Sequence, residues 1–200
     1  EGGLAVHVDA GGGMGTMGLH ASTGGKWYWE YYVTDYQAGG ILGIINDTHN
    51  SDPELGYNSP GSGLLADGIG YYFEDGDLLS GVQDGGTLSG YGAQVDAGDV
   101  LGVAVDVDAG KIWFAENNSF QNSGNPATGA NAARGPGGTI TTAMDFTTAT
   151  WFPSVGCWSA ADMNGVFNFG QDGTFAGAIS DAGNADANGN GSFKYAPPSG

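Results

Sequence analysis

The sequence predicts an all-β domain built as an antiparallel β-sandwich or barrel. Short runs of alternating apolar and polar residues recur along the chain, as expected for strands with one buried face. No apolar stripe with helical spacing persists, because glycine interrupts the chain almost every ten residues. Gly, Asn and Asp, which favour turns, separate the alternating runs. Many short strands joined by such turns are typical of a sandwich or barrel.

The run from Trp27 to Thr34 is the first clear strand, and its alternation assigns each side chain to a face. One face carries Trp27, Trp29, Tyr31 and Val33, and the other carries Tyr28, Glu30, Tyr32 and Thr34. Two further runs, Val100–Val107 and Lys111–Ala115, flank the turn Asp108-Ala109-Gly110 and predict a hairpin. Six more segments read as strands: Leu4–Val8, Met14–Leu19, Gly40–Ile45, Gly70–Phe73, Pro153–Trp158 and Asn164–Gly170.

Two stretches lack this alternation and are predicted to be exposed loops. Residues 117–150 are rich in Asn, Gly, Ala and Pro, and residues 179–191 read ISDAGNADANGNG. A strand-free segment as long as the first is usually functional or mobile. Neither stretch is predicted to link two domains, because strand patterns resume after the first and the aromatic pair Phe193 and Tyr195 follows the second.

The composition excludes several classes of function. The chain has 200 residues, a length that fits one domain over residues 1–200, and 40 glycines and 7 prolines bring it near the composition of disordered chains. Its 12% aromatic content argues for a folded core. Four Lys and Arg residues against 22 Asp and Glu give a net charge of −18, which excludes nucleic acids and anionic membranes as partners. Cys157 is the single cysteine, so neither an intrachain disulfide nor a cysteine-rich zinc site is possible.

Three blocks, in order, resemble the SPRY domain. They are GKWYWEYYV at 25–33, GDVLGVAVDVDAGKIWFAENN at 98–118, and WFPSVGCW at 151–158 followed by GVFNFGQDGTF at 165–175. The resemblance covers residues 20–176 and implies a two-layer antiparallel sandwich of the jelly-roll type. It also implies a non-enzymatic recognition module that grips a partner with loops at one edge of the sandwich.

Two segments are more similar to the SPRY-type modules of tailed-phage virion proteins. They are the insertion at 117–150 with its NPATGANAARG run and the closing GNADANGNGSFKYAPPSG. In those proteins the module sits in longer chains that build fibres or other external parts. This resemblance implies a virion-surface or extracellular location, and we expect the chain to be a segment of a longer one.

Carboxylate pairs suited to glycoside hydrolysis are not found on the predicted strands. That chemistry needs an acid and a base or nucleophile about 5–10 Å apart. Glu30 stands alone on its strand, and Asp106 and Asp108 straddle a turn in which Asp favours backbone bonding. The sequence therefore predicts no catalytic residues and no enzyme activity.

No cofactor is predicted, although one segment resembles part of a calcium site. Asp186, Asn188 and Asn190 match the opening D-x-N-x-N-G of an EF-hand loop. Position 12 of that loop falls on Pro197 instead of Glu, so the match is incomplete. The alternative is that these residues simply form a turn.

Aromatic residues outside the predicted core are candidates for partner binding. Tyr36, Tyr57 and Tyr91 fall in predicted loops, and Trp113 alternates with Ile112 and Phe114, so we expect these four side chains to contact a partner. The loops at 34–40, 47–66, 84–97 and 117–145 form the predicted contact surface.

The resulting hypothesis is a non-catalytic module on a virion exterior, such as a tail fibre or capsid appendage. Its partners are expected to be other copies of the chain, other virion structural proteins, or a host-surface glycan or protein. One alternative is a lectin or glycosidase on a jelly-roll fold. Another is a structural repeat unit of an extracellular filament.

Overall fold

The computed structural model describes residues 4–8, 14–16, 24–46, 68–80, 87–157, 162–180 and 183–199. Within these ranges the chain forms strands and one short 3₁₀ turn, with no α-helix. The elements are β1 Leu4–Val8, β2 Met14–Thr16, β3 Lys26–Tyr36, β4 Gly40–Asn46, β5 Gly68–Tyr72, β6 Leu78–Leu79, β7 Thr87–Leu88, β8 Val100–Asp106, β9 Lys111–Glu116, β10 Ser119–Phe120, the 3₁₀ turn Gln121–Ser123, β11 Trp151–Cys157 and β12 Met163–Asn168. None of the described segments forms a helix long and apolar enough to span a bilayer.

The described strands form two six-stranded sheets in which every neighbouring pair is antiparallel. The strand order is β1-β12-β3-β8-β9-β10 in the first sheet and β2-β11-β4-β5-β6-β7 in the second. Buried side chains from both sheets meet in one large apolar cluster between them. The predicted two-layer antiparallel sandwich is therefore confirmed.

The central strand β3 has the predicted alternation. Trp29, Tyr31 and Val33 are buried in the cluster between the sheets, and Trp27 packs against its edge. On one side β3 pairs with β12, and on the other it pairs with β8. The hairpin of β8 and β9 is also confirmed, with Asp106 opposite Lys111 across the turn. Local alternation was sufficient to predict these elements because the large apolar side chains of the central cluster recur on one face of each strand.

Three described strands have no counterpart in the sequence prediction. β6, β7 and β10 contain two residues each, which is too short to show a period of two. The loop predicted at 34–40 is shorter than expected, because β3 continues to Tyr36 and β4 begins at Gly40.

Residues 117–150 were predicted to be an exposed loop without strands, and one part of this segment instead belongs to the packed interior. Ala132, Ala133 and Arg134 are buried, as are Ile140 and Met144. Backbone bonds tie the segment to the hairpin, since the amide of Ile112 donates to the carbonyl of Arg134 at 3.0 Å and the amide of Ala133 donates to the carbonyl of Ile112 at 2.8 Å. The part of the predicted contact surface formed by residues 132–135, Ile140 and Met144 is therefore closed to a partner, and most of the rest of 117–145 is exposed or half-buried.

Candidate functional site

The C-terminal strap, defined as residues 183–199, lies on the face of the first sheet that points away from the core. Phe193 is buried there, and its ring packs edge-on against Tyr28 with a centroid distance of 5.4 Å. The strap is closed on itself by backbone bonds of 3.2 and 2.8 Å between Asn184 and Phe193. The sheet face that would otherwise meet solvent is thus partly covered by a distant part of the chain.

Glu30 holds the strap through its carboxylate, which is fully buried. One oxygen, Oε1, accepts from the amide of Tyr195 at 2.7 Å and from the Tyr28 hydroxyl at 3.2 Å. The other, Oε2, accepts from the amide of Lys194 at 2.9 Å and from the Asn168 side-chain nitrogen at 3.0 Å. Burial raises the pKa of Glu30, and the backbone amides of Tyr195 and Lys194 offset part of that rise. The carboxylate therefore links β3 to the strap and to β12, and it also bonds to Tyr28 on its own strand. These bonds give it a structural role.

Asn168 extends the same polar cluster into the turn after β12. Its side-chain nitrogen donates to Glu30 and also to the carbonyl of Ser192 at 2.9 Å. Its side-chain oxygen accepts from the amides of Gly170 and Asp172 at 2.9 and 3.1 Å. The Asn-Phe-Gly element seen in the sequence therefore shapes the turn and anchors the strap with one buried side chain.

A cleft of about 300 Å³ opens between the strap and the first sheet. Its sheet side is formed by the start of β3, the end of β8 and part of β9, and its other side by the tip and the end of the strap. Aromatic and proline side chains make up much of the lining: Trp27, Tyr28, Trp113, Phe169, Phe193, Pro126, Pro197 and Pro198. Small-molecule and side-chain sites in proteins are typically concave and apolar, with a few polar groups that fix orientation.

The charged groups at the cleft are two carboxylates and one ammonium. Asp106 and Lys26 face each other across β8 and β3, with 4.0 Å between the Lys26 ammonium nitrogen and a carboxylate oxygen of Asp106. The Lys26 side chain is 43% exposed, so this ion pair is weak. Asp186, on the strap, supplies the second carboxylate. The described lining therefore has an excess of negative charge.

Asp186, Asn188 and Asn190, the predicted calcium ligands, lie together in one turn at the tip of the strap. Oδ1 of Asp186 accepts from the amides of Asn188 and Asn190 at 2.9 and 2.8 Å. The bond from Asn190 is the main cause of the lowered pKa of Asp186. Across the described residues, no three His, Cys, Asp or Glu side chains are grouped so as to hold an ion. The geometry is that of a turn stabilised by Asp, and the partial resemblance to a calcium loop stays a hypothesis.

The three described residues among the four aromatics predicted to contact a partner are not brought together. Tyr91 and Trp113 were expected to be exposed, and this was wrong, because they are 4% and 1% exposed. Tyr91 packs edge-on against Tyr71, and Trp113 donates its indole N–H to the carbonyl of Ala130 at 2.8 Å while forming part of the cleft floor. Tyr36 is half-buried against Phe73 at the other end of β3, about 30 Å from the cleft by strand length. Tyr57 lies outside the described residues, as does the whole of the predicted 47–66 loop.

The sequence did not predict that the C-terminal strap forms one side of the cleft. The one available signal was the aromatic pair Phe193 and Tyr195 after a run of Asn, Asp and Gly, since such rings need a surface to cover. The sequence could not show that this surface is the polar-looking face of β3.

Six of the described carboxyl groups have a shifted pKa, and they fall into two sets with opposite effects on stability. Burial is the main cause of a raised pKa at Glu30, Asp75 and Glu116, whereas hydrogen bonds lower the pKa of Asp145, Asp172 and Asp186. A raised pKa in the folded state contributes stability below the unfolded value, and this contribution is lost as the pH rises through the folded value. A lowered pKa contributes stability above the unfolded value, and this contribution is lost as the pH falls.

We therefore expect the free energy of unfolding to be larger near pH 5 than at pH 8, and to fall again below about pH 4. Relief of repulsion within a chain of charge −18 acts in the same direction between pH 8 and pH 5. Urea titrations across this range would measure the effect. A free energy of unfolding that rises steadily from pH 5 to pH 8 would contradict it.

Comparison with known proteins identifies the architecture. No protein-family model matches the sequence, and no curated protein matches it. The structure is similar to the crystal structure of the SPRY domain of human HERC1, with a TM-score of 0.57 over 81% of this chain and 85% of that one, at 17% sequence identity. The chain has the fold of a SPRY domain. The SPRY-like sandwich predicted from the three sequence blocks is thus confirmed at the level of the fold.

Proposed function

We propose that this chain is a non-catalytic recognition module whose contact surface is the cleft between the C-terminal strap and the first sheet. The observation that carries the proposal is the cleft itself, a concave site with aromatic walls and charged groups of both signs. The SPRY fold supports it, because domains of this fold generally serve as binding modules. Such folds host different functions, so the assignment rests on the site.

The carboxylates support a role without catalysis. Glu30, the carboxylate considered for glycoside hydrolysis, is buried beneath the strap and engaged by four donors. A general acid for glycoside cleavage needs a raised pKa at the bound sugar. Asp186, which lines the cleft, has a lowered pKa instead, caused chiefly by the hydrogen bond from the backbone amide of Asn190.

We further propose that the module stands on a virion exterior, where it contacts other copies, other virion chains or the host surface. This part rests on the resemblance of residues 117–150 and 183–200 to phage virion modules. Immunogold labelling of particles purified from the source culture, with antibody against this chain, tests the location directly. Particles that carry no label would contradict it.

The contact surface can be tested with a side chain that fills the cleft. Ala187 is exposed and lines the cleft, so Ala187→Gln places extra volume there without removing a contact of its own. We expect this change to weaken binding to host envelopes or to isolated virion chains by about tenfold, measured by biolayer interferometry. Ala178→Gln makes the same change at an exposed position outside the cleft and outside the predicted contact loops, and it is expected to bind as the native chain does. Equal binding by the two variants would remove the cleft from the contact surface.

A further inference from the structure

We propose that the cleft binds a cationic side chain, an arginine presented by a partner protein. This inference rests on the proposed function, because it names the chemical class that the same cleft takes. Aromatic rings and carboxylates line one concavity at the end of the first sheet, and that pairing suits a guanidinium group.

The aromatic side of the cleft offers surfaces on which a planar cation can lie. Trp27 and Phe169 are half-buried, so part of each ring remains accessible from the cleft. Cations are attracted to ring faces within about 6 Å, and guanidinium groups also stack on them. Tyr28 continues the aromatic lining beside Trp27, and its hydroxyl is bonded to Glu30 and so is fixed in place.

The charged groups of the cleft favour a cation over an anion. Asp106 and Asp186 line it together with a single ammonium, that of Lys26. Because the Lys26 side chain is 43% exposed and lies 4.0 Å from Asp106, an incoming cation can displace it at little cost. The lowered pKa of Asp186 keeps that carboxylate ionised well into the acidic range.

The charge of the whole chain acts in the same direction. A net charge of −18 with only four Lys and Arg residues repels phosphate, sulfate and acidic sugars, and attracts cations. The volume of about 300 Å³ lies at the lower end of typical binding pockets and suits one long side chain. A neutral sugar could also stack on the rings, but it makes no use of the charge excess.

The test compares three probes that differ in charge and shape: Nα-acetyl-L-arginine amide (arginine amide below), its neutral isostere Nα-acetyl-L-citrulline amide (citrulline amide below), and methyl α-D-glucopyranoside. The indole N–H signals of Trp27 and Trp113 report on the cleft in nuclear magnetic resonance titrations, because both rings line it. We expect arginine amide to shift both signals and to bind about tenfold more tightly than citrulline amide.

Two matched variants separate a local site from the general field of an acidic chain. Asp186→Asn removes one charge but keeps an oxygen that can accept from the amides of Asn188 and Asn190, so the turn is retained. We expect Asp186→Asn to weaken the binding of arginine amide about fivefold. Asp35→Asn removes the same charge at the far end of β3, where the side chain is exposed, and is expected to leave binding unchanged.

Three results would overturn the proposal. They are equal affinity for arginine amide and citrulline amide, an equal loss in the Asp186 and Asp35 variants, and the absence of any shift with arginine amide. A shift with the glucoside alone would overturn the cationic class while leaving the recognition function in place. The assignment of the cleft as the contact surface is tested separately, and it fails only if Ala187→Gln leaves partner binding unchanged.

Discussion

Glu30→Gln is expected to lower the free energy of unfolding by about 3 kcal/mol and to loosen the C-terminal strap. The reason is that both carboxylate oxygens accept a backbone amide, Oε1 from Tyr195 and Oε2 from Lys194. A glutamine has one oxygen and one NH₂ group, so either orientation of its amide points a donor at a backbone donor. A buried amide without an acceptor costs about 1–3 kcal/mol, and the opposed donors add to that cost.

Hydrogen exchange at the amides of Lys194 and Tyr195 measures the local part of this effect. A loss of about 3 kcal/mol corresponds to exchange that is faster by about two powers of ten. If the strap opens without global unfolding, these two amides should change far more than those of the β8–β9 hairpin. Limited proteolysis within residues 183–199 should accelerate in parallel.

Glu116→Gln is the matched control for this experiment. Glu116 is a half-buried glutamate with a raised pKa, but it accepts only from the side chain of Asn117, at 3.2 Å, which a glutamine oxygen can also do. We expect this control to change stability by less than about 0.5 kcal/mol. If Glu30→Gln behaves like Glu116→Gln, the buried carboxylate does not hold the strap.

The sequence predicted the parts of the fold that are locally encoded. In β3 the period of two placed Trp29, Tyr31 and Val33 in the core, and the turn residues between β8 and β9 predicted the hairpin. Both signals act over a few residues, because a strand shows its buried face through alternation and a tight turn shows its type through Gly and Asp.

The candidate site was largely hidden from sequence reasoning because its partners are distant in the chain. The bonds of Glu30 to Lys194 and Tyr195 span 164 and 165 positions and use backbone amides, which any residue could supply. A lone glutamate on an otherwise aromatic strand therefore looked like a solvent-facing residue. Trp113 was misplaced for a related reason, since the loop carbonyl of Ala130 and the side chains around it supply the cover that makes its face of β9 an interior face.

The burial of residues within the segment 117–150 was not predicted for a different reason, which is the small size of some of the buried side chains. Ala132 and Ala133 fill space with single methyl groups, so no alternating apolar pattern arises. Arg134 lies between Ala133 and Gly135, where the sequence predicts an exposed polar loop residue. In the structure it is only 3% exposed. Its acceptors include backbone carbonyls, which leave no trace in the amino-acid sequence.

Arg134→Met is expected to lower the free energy of unfolding by about 3 kcal/mol, because it removes a buried donor from several carbonyl groups at once. The guanidinium group donates to the carbonyls of Thr142 and Gly68, each at 3.2 Å, and more weakly to that of Ala143 at 3.5 Å. It also lies 5.7 Å from the centroid of the Trp151 ring. Methionine matches much of its volume but supplies no donor, so the loss reports on these polar contacts more than on packing.

Two further variants sharpen this test. Arg134→Lys should recover only part of the stability, because an ammonium group cannot present the planar fork that reaches separate carbonyls. Lys26→Met removes a cation from an exposed position and is expected to change stability by less than about 0.5 kcal/mol. Urea unfolding gives the global values, and exchange at the amides of Ile112 and Ala133, whose bonds join the hairpin to this segment, shows whether the damage is local. If Arg134→Met costs no more than Lys26→Met, the guanidinium group is not what fixes residues 131–144 to the sandwich. The backbone bonds to Ile112 and the apolar contacts of Ile140 and Met144 must then do so.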